Sequence, residues 1–132
     1  MLKVLITDDE KAFLQFINLA VHRNGLEIHK AGDGVEALEL ARTVRPDLII
    51  TDMMMPGMTG VELIRELSKD ESLKSIPCIM VTSTKMTAKQ IEILLKDHPA
   101  LRYVLPKPCT LEGLRAAFKA ALESGSAGPA KA

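Results

Sequence analysis

Five short apolar segments recur at regular intervals along this chain. They begin near Leu2, Leu26, Asp47, Ile76 and Leu101. Their apolar residues follow one another directly instead of alternating with polar ones, which is the pattern of a strand buried on both faces. Strands of this kind occur in parallel sheets that are covered by helices on both sides. The pattern therefore predicts five parallel strands.

The segments between the strands carry the periodicity of amphipathic helices. In the first, apolar residues at i, i+3, i+4 and i+7 form one face that we expect to be buried: Phe13, Phe16, Ile17 and Ala20. The second helix follows the Gly32-Asp33-Gly34 turn, the third begins near Gly60, the fourth runs from an N-cap at Thr87 to Asp97, and the fifth follows Thr110. This strict alternation predicts a three-layer α/β fold with a five-stranded parallel sheet, in the flavodoxin-like (βα)5 order 2-1-3-4-5.

The length of 132 residues and the hydrophobic content of 47% fit one domain with its own core. Residues 1–123 are predicted to form this domain, and the small, polar residues 124–132 are predicted to be a disordered tail or linker stub. The 17 basic and 17 acidic residues balance, so the charge favours neither direct nucleic acid binding nor an anionic membrane. No apolar run approaches the ~20 residues of a membrane span. With no signal-peptide pattern either, we expect a cytoplasmic protein.

Four of the five predicted strands stop at a side chain that can take part in chemistry. The first stops at Asp8-Asp9, the third at Asp52, the fourth at Thr82 and the fifth at Lys107. The carboxyl ends of parallel strands share one edge of the sheet, and ligands of such sheets bind there, at the switch point between strands 1 and 3. We therefore expect three carboxylates, a hydroxyl and an ammonium to meet in one crevice.

The composition of this crevice suits a hard cation and a phosphate group. Mg²⁺ prefers oxygen ligands and is usually held by a few carboxylates together with phosphate oxygens. Three neighbouring carboxylates should also repel one another and raise the pKa of at least one of them. A single strand-end carboxylate is often explained by helix capping, but capping does not explain the whole set. Pro106 and Pro108 stiffen the backbone around Lys107 and should aim it at the crevice.

Several motifs give the chain a specific resemblance. These are Asp8-Asp9, Asp52 followed by Met55-Pro56-Gly57-Met58-Thr59-Gly60, Gly32-Asp33-Gly34 with Glu36-Ala37-Leu38, Val81-Thr82-Ser83, and Lys107-Pro108. In these motifs residues 2–123 resemble the receiver domain of bacterial two-component response regulators, close to the single-domain regulators of chemotaxis.

The resemblance implies a role for each matching residue. Asp52 would be the phosphoacceptor, and Mg²⁺, or Mn²⁺ in its place, would be bound by Asp8, Asp9, Asp52 and the backbone carbonyl of Met54. Thr82 and Lys107 would hold the phosphoryl oxygens, and the shift of Thr82 would report phosphorylation. The resemblance also implies that the chain catalyses only its own phosphorylation and dephosphorylation.

The same resemblance implies the partners. The phosphoryl group comes from a sensor histidine kinase or a histidine phosphotransfer protein. A downstream protein of unknown identity then binds the face formed by the fourth helix, the fifth strand and the fifth helix. The same face is where a monomer would associate into a weak dimer.

The chain departs from the family pattern at the predicted readout. Receivers usually carry an aromatic residue three positions before the lysine, and here that position is Val104. The only tyrosine, Tyr103, is its neighbour and should face the other side of the sheet. Met54, Ser83, Thr84 and Val104 occupy positions that are expected to modulate the phosphoryl group or its readout.

The sequence leaves three alternative functions to be weighed. A pseudo-receiver that acts as a scaffold without phosphorylation is compatible with Val104. A phosphohydrolase with an aspartate nucleophile usually has a second Asp two residues after the first, where this chain has Glu10. A flavodoxin-like flavin carrier needs a Ser/Thr/Gly-rich loop after the first strand, and Asp8-Asp9-Glu10 would instead repel phosphate.

Overall fold

The computed structural model describes residues 2–21 and 25–124, with Ser124 described by its backbone alone. The elements in chain order are β1 (Leu2–Thr7), α1 (Lys11–Val21), β2 (Leu26–Ala31), α2 (Gly34–Val44), β3 (Leu48–Asp52), α3 (Gly60–Ser68), β4 (Cys78–Thr82), α4 (Ala88–Asp97), β5 (Leu101–Pro106) and α5 (Leu111–Ser124). All strands are parallel, and their order is β2-β1-β3-β4-β5. The predicted three-layer α/β fold is confirmed. Of the predicted tail only Ser124 is described, as the last residue of α5.

Side-chain caps fix where α2, α3, α4 and α5 begin, the last through Thr110, whose hydroxyl accepts from the Gly113 amide. Thr59 accepts a hydrogen bond from the Glu62 amide, and the Glu62 side chain accepts one from the Thr59 amide. Thr87 and Gln90 form the same capping box before α4, which confirms the predicted N-cap. Asp33 caps α2 in the simpler one-sided way. These bonds satisfy amides that a helix leaves without partners in its first turn.

The sheet separates two hydrophobic cores. On one side Val4, Ile6 and Ile50 pack with α1 and α5, and on the other side Leu5 and Ile49 pack with α2 and α3. Burial on both faces explains why the strands read as continuous apolar runs. In contrast to the other helices of the described chain, α4 contributes no fully buried residue. No helix of residues 2–21 and 25–124 has the length and apolar character to cross a membrane.

The register of β4 and β5 decides which way the residues near Thr82 face. Cys78 pairs with Leu101, whereas Ile79 pairs with Tyr103, so β5 carries one extra residue at a bulge. Beyond the bulge Tyr103 packs on the α1/α5 side and Val104 on the opposite side. The prediction that these two neighbours face opposite sides of the sheet is therefore confirmed.

Candidate functional site

A lysine and three carboxylates meet at the carboxyl edge of the sheet. The Lys107 ammonium donates to Asp8 Oδ2 at 2.7 Å, to Glu10 Oε1 at 3.1 Å and to Asp52 Oδ2 at 3.2 Å. Asp8 is fully buried and Asp52 is 7% exposed. The structure thus brings together Asp8, Asp52 and Lys107, which are distant in sequence and were predicted to share this edge.

Two contacts hold Lys107 in place. Its backbone amide donates to the Thr82 carbonyl at 2.8 Å, which continues the β4–β5 ladder by one residue. Its ammonium lies 4.1 Å from the centre of the Phe13 ring, within the range of a cation–π interaction. Phe13 in turn stacks on Phe16, with 5.5 Å between ring centroids. The ammonium therefore has an aromatic support in addition to its three acceptors.

A close approach of backbone to backbone positions Asp52. The Gly60 amide donates to the Met53 carbonyl at 2.7 Å, so α3 begins directly beside the end of β3. A Cβ atom at Gly60 would lie 2.2 Å from the Asp52 carbonyl oxygen, which no side chain can tolerate. On the other side, the Met54 amide is 3.4 Å from Asp52 Oδ1. Glycine at position 60 is therefore required for the geometry of the acidic strand end.

Burial and the ion-pair contacts shift the pKa values of Asp8 and Lys107 in opposite directions. Burial raises the pKa of the Asp8 carboxyl, against the lowering effect of the Lys107 hydrogen bond, and the charge of Asp52 contributes least. Burial also disfavours the Lys107 ammonium, but its hydrogen bonds to Asp8 and Glu10 and the nearby charges outweigh this and raise its pKa. The predicted rise in a carboxyl pKa is confirmed, although desolvation and not carboxylate repulsion is its main cause.

Glu10, and not Asp9, completes the acidic group. Oxygen atoms of Asp8, Glu10 and Asp52 lie within 4.8 Å of one another, and this is the only such group among residues 2–21 and 25–124. Asp9, which was predicted as a metal ligand, is exposed and lies outside the group. The sequence analysis missed Glu10 as a member, because it joins the group through the bend after β1, where its amide donates to Asp8 Oδ1. An all-oxygen donor set of this kind fits Mg²⁺ or Mn²⁺.

Thr82 lies beside an open space that its neighbours do not fill. The residue is buried, and its hydroxyl accepts a hydrogen bond from the Thr84 amide at 3.0 Å. A cavity of about 570 Å³ adjoins it, with Val104 in the wall next to Met86 and Ile91. Valine is smaller than the aromatic residue usual at this position, and none of the described residues that line the cavity is aromatic.

The remaining positions that were expected to modulate the site lie at its rim. Met54 is 58% exposed next to Asp52, and Ser83 and Thr84 are exposed on the loop after β4. Their side chains can therefore meet solvent or a partner near the acidic group. Their modulating roles stay predictions, as do the metal-binding roles of Asp9 and of the Met54 carbonyl.

A flavodoxin-like sheet with buried aspartates at two strand ends and a lysine after the last strand defines a receiver-type signalling domain. The family model described as response regulator receiver domain matches residues 4–119. The response regulator MprA of Mycobacterium sp. (strain KMS) is 34% identical over 124 residues, which cover 94% of this chain and 52% of that protein. The chain thus spans about half the length of the curated relatives it matches.

Solved structures agree with this assignment. The Francisella response regulator 1452 receiver domain matches with a TM-score of 0.81 and 30% identity, covering 93% of this chain and 98% of that one. The chemotaxis protein CheY4 of Vibrio cholerae matches with a TM-score of 0.80 and 32% identity, covering 92% and 98%. The chain belongs to the response regulator receiver domain family of two-component signalling, which confirms the resemblance drawn from its motifs.

Proposed function

We propose that this receiver accepts a phosphoryl group on Asp52 from a phosphohistidine of a sensor histidine kinase or a histidine phosphotransfer protein. The observation that carries the proposal is the convergence of Asp52, Asp8 and Lys107 within hydrogen-bonding distance of one ammonium. A carboxylate at the edge of a parallel sheet, next to a fixed cation, suits attack on an anionic phosphorus centre.

The transfer is a displacement at phosphorus. An oxygen of Asp52 forms the new bond to phosphorus, and the phosphorus–nitrogen bond of the donor breaks. The electron pair of that bond returns to the ring nitrogen of the histidine, and Asp52 becomes an acyl phosphate. Lys107 donates to a phosphoryl oxygen and offsets the added charge, while the Thr82 hydroxyl donates from the end of β4. Catalysis of this kind rests on positioning and electrostatics.

The acidic group fits a divalent cation as a second source of positive charge. Three carboxylates face a single ammonium, so the crevice carries an excess of negative charge. Asp8, Asp52 and the Met54 carbonyl would hold Mg²⁺ or Mn²⁺, with Asp9 or Glu10 as the further carboxylate. When bound, the ion supplies charge neutralisation for the transferring phosphoryl group.

The signal would leave the site through Thr82. A hydroxyl that turns to the phosphoryl group gives up its bond to the Thr84 amide, which releases the loop before α4. We infer a change in the face formed by α4, β5 and α5, which then binds a downstream protein or a second copy. The protein would act through such contacts in the cytoplasm, without direct nucleic acid binding and without turnover of another substrate.

A phosphorylation assay tests the proposal. The protein is incubated with Mg²⁺ and acetyl phosphate or a histidine kinase, and intact mass shows whether one phosphoryl group is added. We expect addition to wild type and to Asp97→Asn, which removes an exposed carboxylate elsewhere, and none to Asp52→Asn. A phosphoryl group that persists in folded Asp52→Asn contradicts the assignment of the acceptor.

A pseudo-receiver scaffold is the second candidate, because Val104 leaves the cavity beside Thr82 unfilled. If no donor phosphorylates the folded wild-type protein, while a partner still binds the α4 face, the scaffold replaces the proposed function.

A further inference from the structure

The three acceptors of the Lys107 ammonium differ in exposure. An ammonium has three N–H donors, and here its nitrogen has three carboxylate acceptors, at 2.7, 3.1 and 3.2 Å. The side chains of Asp8 and Asp52 are 0% and 8% exposed, whereas that of Glu10 is 66% exposed. No N–H of Lys107 is left for a phosphoryl oxygen unless one of these bonds is given up.

We propose that Glu10 is a positioning residue that holds one N–H of Lys107 in the unphosphorylated protein and yields it to a phosphoryl oxygen. The proposal rests on the proposed function and describes how the same site is regulated. Glu10 therefore opposes phosphorylation, because its carboxylate competes with the phosphoryl group for the Lys107 ammonium.

Solvation decides which of the three bonds is exchanged. The Glu10 carboxylate is the exposed partner of its pair, so water solvates it once it leaves Lys107. The Lys107 side chain is only 10% exposed, but it keeps Asp8 and Asp52 as acceptors. Breaking the pair with Asp8 would instead leave a fully buried carboxylate without its cation, which is strongly unfavourable. Asp52 itself receives the phosphoryl group, so its bond to Lys107 does not compete with that group. The exposed bond to Glu10 is therefore the one that opens most readily.

The backbone of Glu10 is fixed, so the exchange involves its side chain alone. Its amide donates to Asp8 Oδ1 at 2.9 Å, and its carbonyl accepts from the Phe13 and Leu14 amides at the start of α1. The Phe13 ring supports the ammonium from another side, at 4.1 Å. Lys107 therefore keeps its position when the Glu10 carboxylate swings into solvent.

The affinity for beryllofluoride, a mimic of the phosphoryl group, tests the proposal. It is titrated at saturating Mg²⁺ and followed by two-dimensional NMR, with the Mg²⁺ affinity of each variant measured first. We expect Glu10→Gln to bind beryllofluoride about two- to fivefold more tightly than wild type, the range that corresponds to loss of a weak ion pair with an exposed carboxylate. A mere structural defect would weaken binding, so the direction of the change separates the two explanations.

Two further variants show whether the effect comes from the contact with Lys107 or from a negative charge as such. Glu10→Asp keeps the charge on a shorter side chain that retracts from Lys107, and it should also bind beryllofluoride more tightly. Glu39→Gln removes an exposed charge of α2 and should match wild type. If Glu10→Gln binds with unchanged or lower affinity, or if Glu10→Asp behaves as wild type, the inference is wrong. If wild type itself binds no beryllofluoride and accepts no phosphoryl group, the proposed function fails instead.

Discussion

The acidic crevice and the α4 side of the molecule are built in opposite ways. In the crevice, Asp8 and Asp52 are buried and tied to Lys107 by hydrogen bonds. On the other side, α4 buries none of its residues fully, and Val104 and Thr82 border a cavity of about 570 Å³. One region has its groups fixed before any ligand arrives, and the other is held by few buried contacts.

This difference separates the chemistry of the domain from its readout. A fixed charge arrangement lowers the cost of reorganisation during phosphoryl transfer. An element with few buried contacts opens at low free energy and is the kind of element that moves in a switch. The contrast makes the crevice sensitive to single polar substitutions and the α4 side tolerant of them.

Loss of the central cation should give the largest effect. In Lys107→Met, Asp8 and Asp52 lose their shared partner, so we expect the phosphorylation rate to fall about 100-fold. Without metal, the free energy of unfolding should fall by about 3 kcal/mol at neutral pH, because buried carboxylates are left unpaired. Mass spectrometry and urea unfolding measure the two quantities. Lys119→Met, at an exposed site on α5, serves as control. If it lowers the phosphorylation rate and the stability as much as Lys107→Met does, the crevice is not especially sensitive to the loss of a charge.

Truncation of one leucine in α3, which begins beside Asp52, and of one in α4 compares the packing of the two regions. Leu63 of α3 is fully buried, and Leu63→Ala should destabilise the protein by about 3 kcal/mol. Leu94 of α4 is half-buried, and Leu94→Ala should cost about 1 kcal/mol. Urea unfolding gives both values, and amide hydrogen exchange should be faster in α4 than in α3. A loss at Leu94 as large as that at Leu63 would mean that α4 is firmly packed.

Removal of the buried charge of Asp8 should have a smaller effect that depends on pH. Burial raises the pKa of Asp8 in the folded protein, so folding favours the protonated form. The contribution of Asp8 to stability is therefore full below the ordinary value of 3.8 and is lost as the pH rises through the raised pKa. Without metal, Asp8→Asn should match wild type in acid and become the more stable protein towards neutral pH. Urea unfolding across this pH range measures the difference in the free energy of unfolding between the two proteins. A stability gain of Asp8→Asn that is confined to acidic pH would contradict the prediction.

An aromatic residue at position 104 should have the smallest effect on stability and the most informative effect on the readout. The cavity beside Thr82 can accept a larger ring, so Val104→Phe should change the free energy of unfolding by less than about 1.5 kcal/mol. We expect chemical shift changes on beryllofluoride binding to extend further into α4 than in wild type. Val35→Phe makes the same exchange at an exposed position of α2, away from the cavity, and should leave the α4 response unchanged. Identical spectra for wild type and Val104→Phe would show that this position does not limit the readout.

Much of the fold followed from local signals. The strand ends at Asp8 and Asp52 were predictable because apolar runs stop there, and the start of α4 was predictable from the Thr87 side chain. The parallel topology then placed Lys107 on the same edge. These features depend on burial and on local capping, which a sequence expresses directly.

Other parts of the site depend on geometry that the sequence does not express. The carboxylates of Asp8 and Asp9 were predictable as strand-end groups, but the contact of the Glu10 side chain with Lys107 was not. Phe13 was predicted as a core residue, and its half-buried ring also supports the lysine. The bulge opposite Cys78 and Ile79 arises from pairing with another strand, so no local pattern in β5 predicted it.

The position of Tyr103 gives the molecule a built-in optical reporter. The chain has one tyrosine and no tryptophan, so its intrinsic fluorescence arises from a single known site. That ring lies on the α1/α5 side of β5, while the adjacent Val104 lies on the side of Thr82 and the cavity. A change in emission on phosphorylation would therefore record, without any label, that an event at one face of the sheet has been transmitted through the strand to the other.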